Sequence, residues 1–238
     1  MGILYVVATP IGNLEDITIR AIKTILAASV VACEDTRRTG QLVKILSERY
    51  PEYSVAGNRR YLSVRDWNES KIVERILVEL AAGDVALVSD AGTPLISDPG
   101  YKTVRAARDA GFTVVPIPGP SAIIAALSAA GLPTNKFIFL GFLGKKWELL
   151  PGYTHVIYES PNRTDKTCRT IRTKYPKAEM MIVQELTKIH EKITEYAEGM
   201  TFKGEVTLLV YLAEEIAADH GNRNRNGQQR ENGGGNVG

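Results

Sequence analysis

Short apolar runs alternate with helix-patterned segments through the first half of this chain of 238 residues. The runs at residues 3–8, 30–33 and 113–117 have strand length, and the run at 85–89 is almost continuously apolar. Such continuous runs are typical of strands buried on both faces of a parallel sheet. Between them, apolar residues recur at helical spacing. This βαβα alternation predicts an α/β fold in which a parallel sheet carries helices on both faces.

The second half of the chain is richer in strands. Strand-like runs lie at residues 137–142, 156–158, 180–183 and 206–212, and one helix is expected at about 164–175. The segment PIPGP at 116–120 either links two domains or supplies, in Pro120, the first residue of the next helix. The pattern predicts a second α/β unit with a mixed sheet.

We place an N-terminal α/β domain at residues 1–117 and a C-terminal α/β domain at 118–215. Residues 219–238 contain one aliphatic side chain, so they cannot offset their ordering entropy by burial. We expect them to form a disordered tail.

The composition narrows the possible classes of protein. The chain holds 29 Lys and Arg against 27 Asp and Glu, a formal net charge of +2, and 44% of it is hydrophobic. This balance excludes a chain disordered throughout and argues against a protein that clamps nucleic acid over its whole surface. The N-terminal apolar run is too short for a signal peptide, and cysteine and histidine spacing predicts no metal site. We expect a cytoplasmic protein that binds neither membrane nor DNA.

Loops rich in glycine and proline follow three predicted strands. The loop SDAGTPLISDPG at 89–100 holds more glycine, proline, aspartate and hydroxyl groups than a plain connection needs, which favours a ligand-binding role. For ATPIGNL at 8–14, an ordinary strand-to-helix connection is the better interpretation. The segment PGPSA at 118–122 either faces the same crevice or is a rigid linker.

Acidic and basic residues cluster after three further strands, at residues 34–38, 158–163 and 184–188. Charged groups at the ends of apolar strands are candidates for polar site chemistry, but helix caps and surface ion pairs use the same residues more often. No pattern suggests a Ser-His-Asp or Cys-His nucleophile.

Positive charge is concentrated in two segments. Residues 37–65 hold seven Lys and Arg against two acids, and residues 163–177 hold six against one. A local excess of +5 is often just a solvated face, but two of them in a chain of net +2 favour a localised nucleic-acid contact.

Several of these strings together closely resemble one known family. They are YVVATPIGNLED at 5–16, EDTR at 34–37, VSDAGTPLISDPG at 88–100 and VPIPGPSAIIAALSAAGLP at 115–133. They are similar to the family of ribosomal RNA small subunit methyltransferases I, in the tetrapyrrole methylase superfamily. The resemblance implies a cleft between two α/β domains that binds S-adenosyl-L-methionine, and a homodimer. It also implies methylation of the ribose 2′-hydroxyl of a cytidine in the decoding centre of small-subunit (16S) ribosomal RNA.

The resemblance also assigns candidate site residues. Cofactor contacts are expected from two glycine loops and from the positions where relatives touch the cofactor: Pro10, Gly12, Gly92, Thr93, Pro94, Ile96, Ser121, Ala122, Tyr158 and Leu186. A ribose hydroxyl is a poor nucleophile, so a general base or an orienting cation should assist it. Five candidates for that catalytic role are left unranked: Glu185, Lys188, Glu34, Asp35 and Glu159.

This chain departs from the family's pattern in three segments. Residues 63–69 (SVRDWNE) lack its histidines, the segment after Phe142 is shortened, and an Asn/Gly/Arg-rich tail replaces the usual C-terminal extension. Two other interpretations therefore stay open. One is a tetrapyrrole (precorrin or uroporphyrinogen) C-methyltransferase, and the other is a ribosome-binding relative that has lost catalysis.

Overall fold

The computed structural model describes residues 2–54, 58–65 and 67–214. Five parallel strands form the first sheet: β1 (Ile3–Val7), β2 (Val30–Cys33), β3 (Arg60–Ser63), β4 (Val85–Val88) and β5 (Thr113–Ile117). Their order across the sheet is β3-β2-β4-β1-β5. All four residues of β2 and of β4 are buried, because helices cover both faces. The predicted parallel N-terminal sheet is confirmed.

Four helices cover this sheet: α1 (Ile19–Ala27), α2 (Thr36–Arg49), α3 (Glu69–Ala82) and α4 (Tyr101–Asp109). The apolar stripes of α1 and α2 join one core layer, in which Ile25 and Leu46 are fully buried. Those of α3 and α4 join the opposite layer, with Ile76 and Ala107 fully buried. Burial of each stripe against the sheet supplies the main stabilisation of these helices.

The second sheet is mixed. Its strands are β6 (Phe137–Phe142), β7 (Thr154–Glu159), β8 (Glu179–Gln184), β9 (Lys192–Glu195) and β10 (Val206–Tyr211). They lie in the order β6-β7-β10-β8-β9, with β6 parallel to β7 and the other pairs antiparallel. Helix α5 (Ala122–Ala129) packs on one face and α6 (Pro161–Lys174) on the other. The predicted mixed C-terminal sheet is confirmed.

Four details differ from the sequence prediction. Strands β3 and β9 are edge strands with mostly half-exposed residues, so they lack the apolar runs by which the others were found. Helix α4 begins at Tyr101 and not near residue 97, because Ser97 adopts a left-handed φ of 64°. Pro120 precedes the N-cap of α5, Ser121, and is therefore not the first residue of that helix.

The division at residue 117 remains a prediction, and the tail at 219–238 lies outside the described residues. Within the part of the chain that is described, no helix is long and apolar enough to cross a bilayer.

Candidate functional site

The loops that follow β1, β2, β4 and β5 meet at one edge of the parallel sheet. The backbones of Thr9 and Gly92 exchange two hydrogen bonds, of 2.9 and 3.0 Å. The hydroxyl of Thr93 donates to the carbonyl of Pro120 at 3.1 Å. The connection after β2 runs to β3 on one side and the connection after β4 runs to β5 on the other side. The carboxyl ends of β2 and β4 therefore form a topological switch point, where ligands bind in open α/β sheets.

A cleft of about 490 Å³ opens above these loops, and we call it the central cleft. Its walls come from both sheets and include four predicted cofactor contacts: Ile96, Ala122, Tyr158 and Leu186. The volume lies in the range typical of cofactor sites. Residues assigned from four separate segments of the sequence thus line one cavity.

The other predicted cofactor residues lie beside or behind that cavity. Pro10 and Gly12 line an adjoining cavity of about 280 Å³, the loop cavity. Gly92 is buried with φ at +80°, and Thr93 ties its loop to Pro120. Two further predicted residues have structural positions there: Pro94 is buried, and Ser121 is the N-cap of α5.

The loop after β1 touches the loop between β8 and β9. A Cβ atom on Gly12 would lie 2.6 Å from Cγ of Lys188 and 2.9 Å from the carbonyl oxygen of Leu186. The backbone N–H of Asn13 donates to the Thr187 hydroxyl at 3.0 Å. Gly12 therefore allows a loop of the first sheet to pack against a loop of the second sheet. The close approach at Gly12 is to another segment of the protein, and Gly12 does not line the central cleft.

Four non-glycine residues in the loops around this site have left-handed backbone conformations. They are Leu95 and Ser97 after β4 and Glu185 and Thr187 after β8, with φ between 49° and 72°. Such conformations cost on the order of 1–3 kcal/mol each and concentrate at ligand sites. Their position next to the central cleft supports a ligand site there. Leucine, serine, glutamate and threonine rarely adopt this conformation, so these residue types do not predict it in a sequence.

Two of the five catalytic candidates form hydrogen bonds with helices. Asp35 is the N-cap of α2, where the backbone N–H of Arg37 donates to it at 2.8 Å and lowers the pKa of its carboxyl group. Glu159 is buried, and its carboxylate accepts hydrogen bonds from the backbone of Ser160 and from the side chains of Arg163 and Thr167. Both carboxylates are engaged in stabilising helices.

Two more candidates belong to an ion-pair network. Nζ of Lys188 lies 2.8 Å from carboxylate oxygens of both Glu185 and Glu205. Burial works to lower the pKa of Lys188, but its hydrogen bonds to these two carboxylates outweigh burial and raise it. The hydrogen bond from Lys188 lowers the pKa of Glu185, helped by the backbone N–H of Glu205. Lys188 therefore carries its proton at neutral pH and can act as a cation but not as a base.

The fifth candidate, Glu34, lines the central cleft and a third cavity of about 440 Å³. Arg38 and Asp90 line all three cavities, and their side chains lie 3.4 Å apart. The backbone N–H of Asp35 donates to Asp90 at 3.0 Å, which joins the loops after β2 and β4. Arg38 and Asp90 were not among the predicted site residues, although both lie in segments singled out by their composition.

An aromatic group forms one side of the central cleft. Rings of Phe139 and Phe142 approach that of Tyr158 edge-on, with centroids 4.9 and 5.9 Å away. Burial raises the pKa of Tyr158 to about 12, and the charges of Asp98 and Glu205 act in the same direction. The phenol is therefore a neutral hydrogen-bond donor at neutral pH.

Acidic side chains outnumber basic ones in the lining of the central cleft. The lining holds one arginine, Arg38, and five acidic residues: Glu34, Asp90, Asp98, Glu159 and Glu205. Three of these acids form ion pairs, Asp90 with Arg38, Glu159 with Arg163 and Glu205 with Lys188. The apolar and aromatic part of the wall is suited to a flat heterocycle, and the acids favour a ligand that carries positive charge.

The two basic segments are partly neutralised. Arg163 pairs with Glu159, Arg169 pairs with Asp165 and Glu198, and Arg60 pairs with Glu79. Lys166 and Arg172 on α6 have exposed side chains, so part of the predicted positive face on this helix is open to solvent.

The family model described as Tetrapyrrole (Corrin/Porphyrin) Methylases matches residues 3–199. A protein from Neisseria meningitidis serogroup B, named Ribosomal RNA small subunit methyltransferase I, is 38% identical over 90% of this chain and 77% of its own length. A protein of the same name from Mesorhizobium japonicum is 41% identical over 89% of this chain and 76% of its own.

Among solved structures, the chain is similar to uroporphyrin-III C-methyl transferase from Thermus thermophilus complexed with S-adenyl homocysteine. The TM-score is 0.60 at 18% identity, and the match covers 88% of this chain and 97% of that one. This likeness concerns the fold.

Proposed function

Because this chain belongs to the ribosomal RNA small subunit methyltransferase I family of the tetrapyrrole methylases, we propose that it methylates small-subunit ribosomal RNA with S-adenosylmethionine. The acceptor is the ribose 2′-hydroxyl of a cytidine in the decoding centre. The observation that carries the proposal is the central cleft, where Ile96, Ala122, Tyr158 and Leu186 meet between the two sheets.

The residues present fit S-adenosylmethionine. The cleft has the volume of a cofactor site, an aromatic and aliphatic wall for adenine, and carboxylates that favour the positive sulfur. When bound, the cofactor supplies a methyl group activated by that positive sulfur. The rigid loops at Gly92 and Pro120 fix backbone carbonyls beside the site, which keeps its geometry constant without a conformational cost during reaction.

Among the five catalytic candidates, Glu34 is best placed to accept the proton of the ribose hydroxyl. It lines both the central cleft and the adjoining 440 Å³ cavity, whereas Asp35 lines only the 440 Å³ cavity and Glu159 only the central cleft. Lys188 acts as an orienting cation, paired with Glu185 and Glu205. With the cofactor bound, the acceptor oxygen would gain the methyl group as the bond from that methyl group to sulfur breaks and leaves a neutral thioether, and the proton of the hydroxyl would pass to the Glu34 carboxylate.

The acid-rich cleft argues against the tetrapyrrole alternative. A uroporphyrinogen-like substrate carries several carboxylates and would require basic residues that converge on the cavity. Among the described residues that line the central cleft, five are acidic and one, Arg38, is basic. A cytidine that enters with its ribose foremost brings less negative charge into the cleft.

The test is transfer of labelled methyl groups from S-adenosylmethionine to small ribosomal subunits that lack the modification. We expect label in the RNA, and a fall in kcat of about 100-fold or more for Glu34→Gln. Thr18→Ala is the control, because Thr18 caps α1 and lines none of the three cavities. It should cost about 1 kcal/mol of stability through the helix cap while kcat stays close to wild type. Cofactor binding without any transfer would support the inactive, ribosome-binding relative, and transfer to a tetrapyrrole would support the C-methyltransferase.

We further propose that the active form is a cytoplasmic homodimer, as the resemblance implies.

A further inference from the structure

An exposed tryptophan stands beside the central cleft. Trp67 lies just before α3, with 79% of its surface accessible. It forms part of the wall of the 440 Å³ cavity, which we call the tryptophan cavity. An indole left in water forgoes the burial that stabilises most tryptophans, which makes this position a candidate contact surface for a ligand.

The rest of the tryptophan cavity is charged in a mixed way. Its wall includes two arginines, Arg38 and Arg65, and three acidic residues, Glu34, Asp35 and Asp90. The backbone N–H of Arg37 lowers the pKa of Asp35, so that its carboxylate is ionised at neutral pH and only accepts hydrogen bonds. One small volume therefore offers a π face, cations and hydrogen-bond acceptors.

These three features match the parts of a nucleotide. A nucleobase stacks on an aromatic face whatever its sequence, and arginines pair with phosphates. Carboxylates accept a hydrogen bond from the exocyclic amino group of cytosine. Uracil carries a carbonyl oxygen at the corresponding position. That oxygen and a carboxylate are both hydrogen-bond acceptors, so they would repel each other.

The tryptophan cavity adjoins the central cleft. Glu34, Arg38 and Asp90 line both. A nucleotide with its base against Trp67 would have its ribose at this shared wall, next to the proposed proton acceptor Glu34. The two cavities are thus arranged as a base site and a reaction site.

We propose that the tryptophan cavity holds the base of the nucleotide to be methylated, stacked on Trp67 and selected for an amino group by the acidic wall. The inference rests on the proposed RNA methyltransferase function and adds to it the residues that select the base. Trp67 and Arg65 are binding residues in this account, whereas Glu34 takes part in the reaction.

Fluorescence tests the cavity independently of catalysis. The chain has two tryptophans, so Trp147→Phe leaves Trp67 as the sole indole. A short single-stranded oligocytidylate should quench its emission at a concentration about tenfold lower than oligouridylate does. Trp67→Phe, which keeps Trp147, is the control and should respond to neither. Unchanged emission with both oligonucleotides, or equal quenching by both, would overturn the proposal.

A second test measures the steady-state kinetics of methyl transfer to unmodified small ribosomal subunits. Trp67→Ala should raise KM for the subunits about tenfold, and Trp67→Phe should restore most of the loss because it keeps an aromatic face. Arg65→Ala should also raise KM, whereas Arg75→Ala, an exposed arginine on α3, should not. If wild-type protein transfers label and Trp67→Ala has an unchanged KM, the base site is wrong and the proposed function stands. If wild-type protein transfers nothing to RNA, the proposed function itself fails.

Discussion

Two acidic residues near the central cleft show that one sequence pattern is compatible with a catalytic or a structural role. Asp35 follows β2 and Glu159 ends β7, where α/β enzymes often place catalytic acids, but the Asp35 carboxylate caps α2 and the Glu159 carboxylate pairs with Arg163. Sequence reasoning recognised both possibilities and had no means to choose, because the choice depends on which donors the fold brings near. Arg38, by contrast, is identified as a site residue only by the structure.

Gly92 is the residue on which cofactor binding should depend most. Its φ is +80°, and a Cβ atom would lie 3.1 Å from Cγ2 of Ile11, which lines the central cleft. A larger side chain would strain the turn and push Ile11 toward the cleft. We expect Gly92→Leu to weaken binding of S-adenosylmethionine by at least about tenfold in isothermal titration calorimetry.

Gly131 supplies the matched control for this substitution. It has φ at +73°, and no atom lies within 4 Å of a Cβ built on it. Gly131→Leu therefore imposes a similar backbone strain without touching the cleft. Equal losses of cofactor affinity in the two variants would show that strain alone, and not the position of Gly92, explains the effect.

His155 predicts how stability depends on pH. It is fully buried, its Nε2 accepts from the backbone N–H of Leu150 at 2.9 Å, and Nδ1 lies 3.2 Å from the carbonyl of Val210. Burial lowers the pKa of His155, against the opposing effect of that carbonyl. The unfolded chain therefore takes up a proton at a higher pH than the folded protein does, near the ordinary histidine pKa of about 6.5.

The stabilisation from neutral His155 is present above about pH 6.5 and is lost as pH falls below it. Urea unfolding should give a lower free energy of unfolding at about pH 5.5 than at pH 7.5. His155→Gln does not titrate, so the difference between the two pH values should shrink in this variant. If the difference in the free energy of unfolding between the two pH values is as large in His155→Gln as in the wild type, groups other than His155 cause the pH dependence.

At the scale of elements, the strands with apolar runs and the helices with apolar stripes were predictable, including the edge strands β5 and β6, whereas the edge strands β3 and β9 were not. β4 was recognised because all its residues are apolar, and α3 because its apolar residues fall on one stripe. β3 and β9 pair on one side only, so their sequences need not be apolar. The loop at 89–100 was recognised by composition, but the left-handed turns at Leu95 and Ser97 use residue types that give no such signal.

Helix α6 carries the prediction about RNA contact outside the cleft. Arg169 belongs to the basic segment 163–177 for which a nucleic-acid contact is predicted, but it pairs with Asp165 and Glu198, so its reversal would also disturb the fold. Lys166 and Arg172 are exposed on the same helix. Arg172 also lies 5.2 Å from the ring centroid of Tyr196, so the free energy of unfolding of the variant is measured alongside RNA binding. We expect the double reversal Lys166→Glu, Arg172→Glu to weaken RNA binding and to reduce its salt dependence by roughly 0.9 log units for each lost phosphate contact.

Cofactor affinity serves as the control for this double variant, since neither Lys166 nor Arg172 lines the central cleft. It should stay at the wild-type value. A wild-type salt dependence of RNA binding in the double variant would remove α6 from the RNA contact surface.

At the scale of the whole molecule, the two sheets contribute different parts of the central cleft. The parallel sheet supplies the loops after β1, β2, β4 and β5, and the mixed sheet supplies Tyr158, Leu186 and Glu205 from the other side. The net charge of +2 is spread unevenly: acidic side chains outnumber basic ones in the central cleft, and the Lys and Arg residues of the two basic segments other than Arg38 do not line it. Such a separation suits an enzyme that grips RNA at its surface and admits one nucleotide to an acidic site.

The central claim is methylation of a ribose hydroxyl on cytidine, and alkaline hydrolysis of the labelled RNA tests it most directly. Alkali cleaves RNA through the 2′-hydroxyl, so a nucleotide methylated there remains in an uncleaved dinucleotide. We predict that label transferred to unmodified small subunits is recovered in an alkali-resistant dinucleotide whose 5′ nucleotide is cytidine. Label recovered in mononucleotides would show methylation of a base, and label on another nucleotide would contradict the assigned substrate.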